Sequence, residues 1–478
     1  MAVNRHDEAL RRLELVEDED AAPDDGAPDQ AGPDDPPAPR RRARHPRRRH
    51  LVLAVAGVAA VAGAFVVSSL GQGWSDRTAL RDAAGGVTSL ATAPGEQWRV
   101  ATTSPQVWSV GDVLAVTDGE DLVGLSPADG TRTWTTALAD TPRCGPAPGT
   151  TGRAGAGTLV CLTGPEHDPD AWVVDADGRV VARATLGDGL GRALVAREDA
   201  VLRWERAGGV VSVAVQDPTD GTVRWRATSG PDDIPMADVC RPQVAGTAAA
   251  RVEHGLVVLE GCRVSAAFTL DGVRVDDPSE AVTVQVLPAP AGRFLRTTTA
   301  STSGTVLLTQ LVDPDGAVER FLPGRPLVAR SSDGTADPTR LLAVPSGLQA
   351  VDPRGNERWT LSGNVGQVLV VADGTAVLDR GYVVAAVDLA SGQERWTWAR
   401  HELGTRDTVV GAFTDGQVAA LVVASPADPR TSRVVGLHLD DGSVAWDTRV
   451  EGDGSGFVAL DGRLLRLDTV QGTLVGYG

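Results

Sequence analysis

The chain has 478 residues, 42% of them apolar, enough to bury a large core and long enough for more than one conventional domain. Its formal net charge is −18, and all 45 basic side chains are arginine. Residues 1–50 hold 12 of the 63 acidic and 10 of the basic side chains, which leaves residues 51–478 near −16. This argues against nucleic acid and anionic lipid surfaces as partners of that region, since both need a basic face.

In chain order, the first segment is "EDEDAAPDDGAPDQAGPDDPPAP", acidic, rich in proline and too poor in apolar surface to offset its ordering entropy. Residues 1–50 are therefore expected to be a disordered tail. Seven arginines then fall between Arg40 and Arg49, followed at once by Leu51–Leu70, twenty residues without a charge. At about 1.5 Å per residue such a helix is roughly 30 Å long, the thickness of a bilayer's hydrocarbon core. Arginine crowds one flank only, so the positive-inside rule predicts a single-pass helix over 51–70 with residues 1–50 cytoplasmic and residues 71–478 outside, Trp74 standing at the outer interface. A cleaved signal peptide is the competing reading. It would need a charged region some 50 residues long, and no clear A-x-A-like small-x-small site follows the apolar run. The twin-arginine match at Arg48 and Arg49 is what a run of seven arginines produces by accident.

Beyond a linker at 71–94 the remaining chain, 95–478, reads as one folded region. All four cysteines, Cys144, Cys161, Cys240 and Cys262, lie in it, an even count that suits disulfides in an oxidising compartment. Local pairing joins Cys144 to Cys161 and Cys240 to Cys262, although four cysteines permit three connectivities. Zinc would need CxxC spacing or adjacent histidines, and the sequence has neither.

Tryptophan is unusually abundant, 11 against 6 Phe and 2 Tyr, so the large ring is placed by something more specific than core filling. Five of the eleven have Gly four residues upstream: Gly130 with Trp134, Gly221 with Trp225, Gly355 with Trp359, Gly392 with Trp396, and Gly442 with Trp446. An alternating apolar run precedes each Gly, as in "VVAAVDLASG" and "VVGLHLDDG", so the unit is a β-hairpin whose Asp and Pro start the turn and whose Gly ends it. Asp in such turns is read as a turn residue rather than a calcium ligand. Degenerate copies without Trp occur at Gly178, Gly272 and Gly316. The turn glycines are then 37 to 51 residues apart, room for four short strands per unit and the period of propeller blades. The chain ends in "GFVALDGRLLRLDTVQGTLVGYG", three strands without a fourth, and "GEQWRVATT" at Gly95–Thr103, with Trp98, supplies the missing one. The expected fold is an all-β propeller of about eight four-stranded antiparallel blades, with seven to nine allowed.

Ala386, Asp388, Gly392 and Trp396 match the Ala-x-Asp-x3-Gly-x3-Trp docking motif, and the region resembles the pyrroloquinoline-quinone-like (PQQ-like) β-propeller repeats. Ala350, Asp352, Gly355 and Trp359 repeat the motif with one residue deleted, and Gly442 with Trp446 keeps its end. The resemblance implies that these Trp side chains pack between blades. It leaves function open, because the repeat builds quinoprotein dehydrogenases and also non-enzymatic, BamB-like assembly propellers. The dehydrogenases characteristically carry a vicinal cysteine pair beside the cofactor, which this sequence lacks. His167, in "PEHDPD", reads as a loop residue; His254, His401 and His438 are isolated from any metal spacing, and neither GxSxG nor HExxH occurs. No catalytic residue, metal or cofactor is assigned. The expected role is a non-catalytic platform, anchored to the membrane by one helix, that binds an extracytoplasmic protein or cell-envelope component; the alternative is a quinone-dependent or other small-molecule enzyme using the central channel.

Overall fold

A computed structural model describes residues 78–478 apart from 147–156, 188, 208–209, 230–248, 262–263, 277–282, 300–306, 315, 335–339, 400–406 and 453. The expected tail and membrane span lie outside the described residues. Among those described, no helix is long and apolar enough to cross a membrane.

The alternating runs form short antiparallel strands, and each turn glycine sits in the hairpin between the third and fourth strands of a sheet. All eight take φ between 71° and 90°, where a side chain is strained. The sheets follow one another along the chain as blades 1 (108–137), 2 (143–185), 3 (192–229), 4 (249–275), 5 (283–323), 6 (325–362), 7 (367–399) and 8 (408–451). Blade 9 joins the two ends of the propeller: Phe457–Leu460, Arg463–Asp468 and Thr473–Tyr477 are completed by Glu96–Ala101, with Trp98 opposite Gly476 and Val100 opposite Leu474. First strands of neighbouring blades approach one another, as in blades 7 and 8, which places them nearest the axis.

The propeller has nine blades, one more than the eight expected. The repeats at Gly178, Gly272 and Gly316 each form a blade, so none of the Trp-less copies is an insertion. A blade is held by its middle strands, which neighbours cover on both faces, and those strands stay apolar without the Trp: in blade 2, Val160, Leu162 and Val174 are fully buried. Two blades depart from four strands. Among the described residues blade 4 has three, its fourth reduced to a bridge between Phe268 and Arg274. Blade 7 gains a fifth, Ser331–Ser332, paired in parallel with Val370 and Val371 of its first strand.

The blades are joined by a recurring contact. Six tryptophans each donate their indole N–H to a backbone carbonyl: Trp98 to Pro127, Trp134 to Ala176, Trp225 to Leu270, Trp359 to Leu389, Trp396 to Leu439 and Trp446 to Leu90, at 2.7–3.2 Å. The first five reach the turn of the following blade, and each of those rings lies against that blade's turn glycine. Within its own blade the ring's third-strand partner is Gly or Ala in every case but Trp225, which pairs with Val215. Ala386 pairs with Trp396, and Gly124, Gly436 and Gly476 pair with Trp134, Trp446 and Trp98. A Cβ on Gly124 would stand 2.2 Å from the Trp134 ring.

In blade 5 the docking position is Arg320. It lies against Gly355 and donates to the Arg354 carbonyl at 2.9 Å, doing with a guanidinium what the indoles do elsewhere.

Candidate functional site

In an antiparallel four-stranded blade the first and third turns emerge at one end, and the second turn with the blade-to-blade connection at the other. The first end is bonded over near the axis by two chain segments. Residues 78–90 enter there: Val87 donates to the Thr414 carbonyl at 2.8 Å, Thr88 to Gly462 at 2.8 Å and Leu90 to the Asp415 carboxylate at 2.7 Å. Thr414 and Asp415 belong to the first turn of blade 8 and Gly462 to that of blade 9. The second segment includes residues 330–334, with Ser332 donating to the Ala84 carbonyl at 2.8 Å and the buried Asp333 accepting from the Asp373 amide, in the first turn of blade 7, at 2.9 Å.

From the opposite end a cavity of about 1290 Å³ runs between blades 8, 9 and 1, and residues 81–85 line its covered end. Trp108, Phe413, Phe457 and Leu467 give it apolar walls; Arg430 and Glu451 stand among its polar groups. Phe413, Phe457 and Tyr477 form a row, with ring centroids 6.5 and 5.5 Å apart. In a chain with only 6 Phe and 2 Tyr, Phe413 and Phe457 both line this cavity, with Tyr477 stacked behind Phe457.

Arg466 lines this cavity from the second strand of blade 9 and is 1% exposed. Two other second-strand arginines are as deeply buried, Arg203 in blade 3 and Arg296 in blade 5. Both are bonded. Arg203 donates to the carbonyls of Leu186, Leu190, His167 and Arg192, holding the connection between blades 2 and 3. Arg296 donates to the Gln310 side chain at 2.6 Å and to the Val275 carbonyl at 3.4 Å. Arg466 differs, because none of its three guanidinium nitrogens has a hydrogen-bond partner. The nearest carboxylate, on Asp468, is 3.8 Å away. Burial pushes the neighbouring Tyr477 phenol up, against two lowering effects of this guanidinium, its charge and a side-chain contact with the phenol oxygen that falls outside hydrogen-bond geometry. The Glu96 carboxyl is held below its ordinary value first by its hydrogen bond from Arg99, with a smaller pull from Arg466.

The residues singled out from sequence lie elsewhere. The docking glycines and Trp side chains lie at the seams between blades, and Asp388 caps its turn by accepting from the amides of Ala390 and Ser391 at 3.0 and 2.9 Å. The hydrogen bond from Arg395, at 2.6 Å, leads the effects that lower its pKa to about 2, followed by those from Ser391. Cys144 and Cys161 form a disulfide across the first two strands of blade 2, whereas Cys240 and Cys262 lie outside the described residues. His167 contributes a backbone carbonyl to Arg203, His254 turns the chain in blade 4 at φ 51°, and His438 ends the third strand of blade 8; His401 is outside the described residues. Among the described residues no three His, Cys, Asp or Glu side chains are grouped to hold a metal. Arg466 was missed, although "GRLLRLD" carries its signal: period 2 puts Arg466 on the same face as the buried Leu464.

Residues 326–476 match the family model described as "Outer membrane protein assembly factor BamB", which spans blades 6 to 8 and the strands of blade 9 that end the chain. The propeller is of the PQQ-like type. No curated protein matches the sequence. Solved structures similar to this PQQ-like propeller include the one titled "Crystal structure of the eukaryotic initiation factor", at 13% identity over 77% of this chain and 91% of that one, with a TM-score of 0.44. Dihydro-heme d1 dehydrogenase NirN in complex with DHE is 14% identical over 76% and 77% of the two chains, TM-score 0.38. Apo AztD from Citrobacter koseri is 13% identical over 71% and 95%, TM-score 0.32. At this distance the likenesses say nothing of activity.

Proposed function

We propose that the protein is a membrane-anchored, extracytoplasmic PQQ-like propeller that acts as a non-catalytic platform for another protein or a cell-envelope component. The observation that carries this reading is the asymmetry of the ring near its axis. At one end residues 78–90 and 330–334 bond the first turns of blades 7 to 9, while a large cavity with apolar and mixed-charge walls opens from the other. A fixed ring with loops around such an opening suits recognition of a partner. The matching family model, described as an outer membrane assembly factor, points the same way. The anchor rests on the arginine cluster and the uncharged Leu51–Leu70.

Capture from native membranes with the full-length chain tests the platform, and the same preparation is examined by absorption spectroscopy and metal analysis. A reproducible envelope partner supports the reading. A stoichiometric bound chromophore or tightly held calcium would instead favour a quinone-dependent enzyme in the channel. For the anchor, a reporter active only outside the cytoplasm should work when fused at Gly478 and fail when fused near Arg5; the reverse pattern would overturn the topology.

A further inference from the structure

We infer that the cleft between blades 8 and 9 is a binding site for an organic monocarboxylate with an apolar body, and that Arg466 is its anchor. The first ground is the guanidinium itself. It is 1% exposed, it lines the cavity, and none of its nitrogens is hydrogen-bonded. A buried charge without bonds is costly, and the same chain shows how it meets that cost elsewhere, by surrounding Arg203 with four carbonyls. At Arg466 the protein supplies no carbonyl. Asp468, at 3.8 Å, balances part of the charge from outside hydrogen-bonding range.

The second ground is the wall beside it. Phe457 is the register partner of Arg466 on the first strand of blade 9, and the row of Phe413, Phe457 and Tyr477 continues from it. A ligand seated here would place an apolar body against Phe413 and Phe457, the two rings of that row that line the cavity, and an anionic head on a planar fork of donors, the arrangement that selects a carboxylate by two parallel hydrogen bonds. Charge narrows the class further. Asp82, Glu451, Asp461 and Asp468 line the same cavity as Arg81, Arg330, Arg430 and Arg466, so its formal charges balance within a strongly acidic chain. One negative charge on an apolar body is tolerated there, whereas a phosphate or other polyanion would meet Glu451 and Asp468 with its excess charge.

The inference rests on the platform reading, and the two fail separately: a bound chromophore or calcium overturns the platform, while the experiment here overturns the carboxylate site alone. Titration calorimetry of the full-length protein near pH 7 compares 4-phenylbutyrate, ionised at that pH, with its uncharged isostere 4-phenylbutyramide. Wild type should bind the acid at least about tenfold more tightly than the amide, the difference made by charge-assisted hydrogen bonds. Arg466→Met should abolish that preference while leaving the melting temperature unchanged or higher, because it removes an unbonded buried charge and keeps the volume. Should Arg466→Met fail to fold, Phe457→Ala serves instead, weakening acid and amide by the same factor. Equal binding of the two probes to wild type, no binding of either, or an acid preference that survives Arg466→Met would each overturn the site.

Discussion

The seam between blades 7 and 8 can be tested by a double-mutant cycle on Trp396 and Gly442. Trp396 is 8% exposed, its ring lies on Gly442, and its indole donates to the Leu439 carbonyl at 2.9 Å. Trp396→Ala removes a buried ring that the neighbouring blade cannot collapse to fill, and should cost about 3–5 kcal/mol. Gly442→Ala acts in two ways. At φ 71° any side chain is strained, roughly 1 kcal/mol, and the new Cβ would stand 2.5 Å from the ring, an overpacking cost of about 1–3 kcal/mol. The ring cannot yield without losing its hydrogen bond to the same turn. Once Trp396 is gone that clash has no partner, so the double variant should be more stable than the sum of the single changes by about 1–3 kcal/mol. Gly381→Ala isolates the strain, since Gly381 has φ 87° and nothing within 4 Å of its Cβ position. Urea unfolding of full-length protein followed by circular dichroism gives all four values. Effects additive within about 0.5 kcal/mol would refute this account of the seam.

Arg203→Met should cost about 3–5 kcal/mol in the same assay, because it strips the donors from four carbonyls at the connection between blades 2 and 3; a neutral result would show those bonds to be dispensable. Opening the Cys144–Cys161 bridge by Cys161→Ser should cost about 2–4 kcal/mol, and non-reducing peptide mapping of the native protein should recover the linked pair. The turn at Asp388 should weaken in acid. Its folded pKa of about 2 lies below the unfolded value near 3.8, so its contribution is present above the unfolded pKa and is lost as pH falls toward 2. Asp388→Asn should therefore flatten the acid limb of the stability profile, and an unchanged limb would assign it to other carboxylates.

Much of the architecture was legible because a hairpin is a local object. Asp388, Gly392 and Trp396 fall within nine residues, and their alternation and turn chemistry mark a third and fourth strand without any tertiary information. The closing strand at Trp98 was legible for the same reason: a fourth strand without its third is conspicuous once the unit is known. The blade count was legible too, since eight turn glycines and the split closing blade make nine; the expectation of eight discounted one Trp-less copy as an insertion, although such copies build full blades. Arg320 docks in blade 5, and blade 2 has Ala182 at the equivalent position. The docking acceptors were invisible, since the Leu439 carbonyl belongs to the next repeat and its nearness to Trp396 exists only after the blades stack. The cavity follows the same logic. Phe413, Phe457 and Arg466 come from two blades, and no local pattern relates them.

The seam between blades 8 and 9 is where the repeat rule is interrupted, and the cavity lies against it. Every other blade joins its third strand to its fourth through a continuous turn, but blade 9 takes these strands from opposite ends of the propeller, held by their ladder and by Gly95 and Gly478 exchanging amide-to-carbonyl bonds at 3.1 Å. With no turn there, Trp446 has no glycine to rest on, and its indole reaches Leu90 of the entering segment instead. That segment also bonds the first turns of blades 8 and 9 through Val87, Thr88 and Leu90, so one stretch of chain leads into the closing strand, completes the last docking contact and ties two blades together at one end. Closure removes two sheet edges that would otherwise be open to pairing. The seam itself is packed by Phe413, Val422, Val434 and Leu464 with Phe457 and Tyr477 against them, and at its edge Phe413, Phe457 and the buried Arg466 face the cavity.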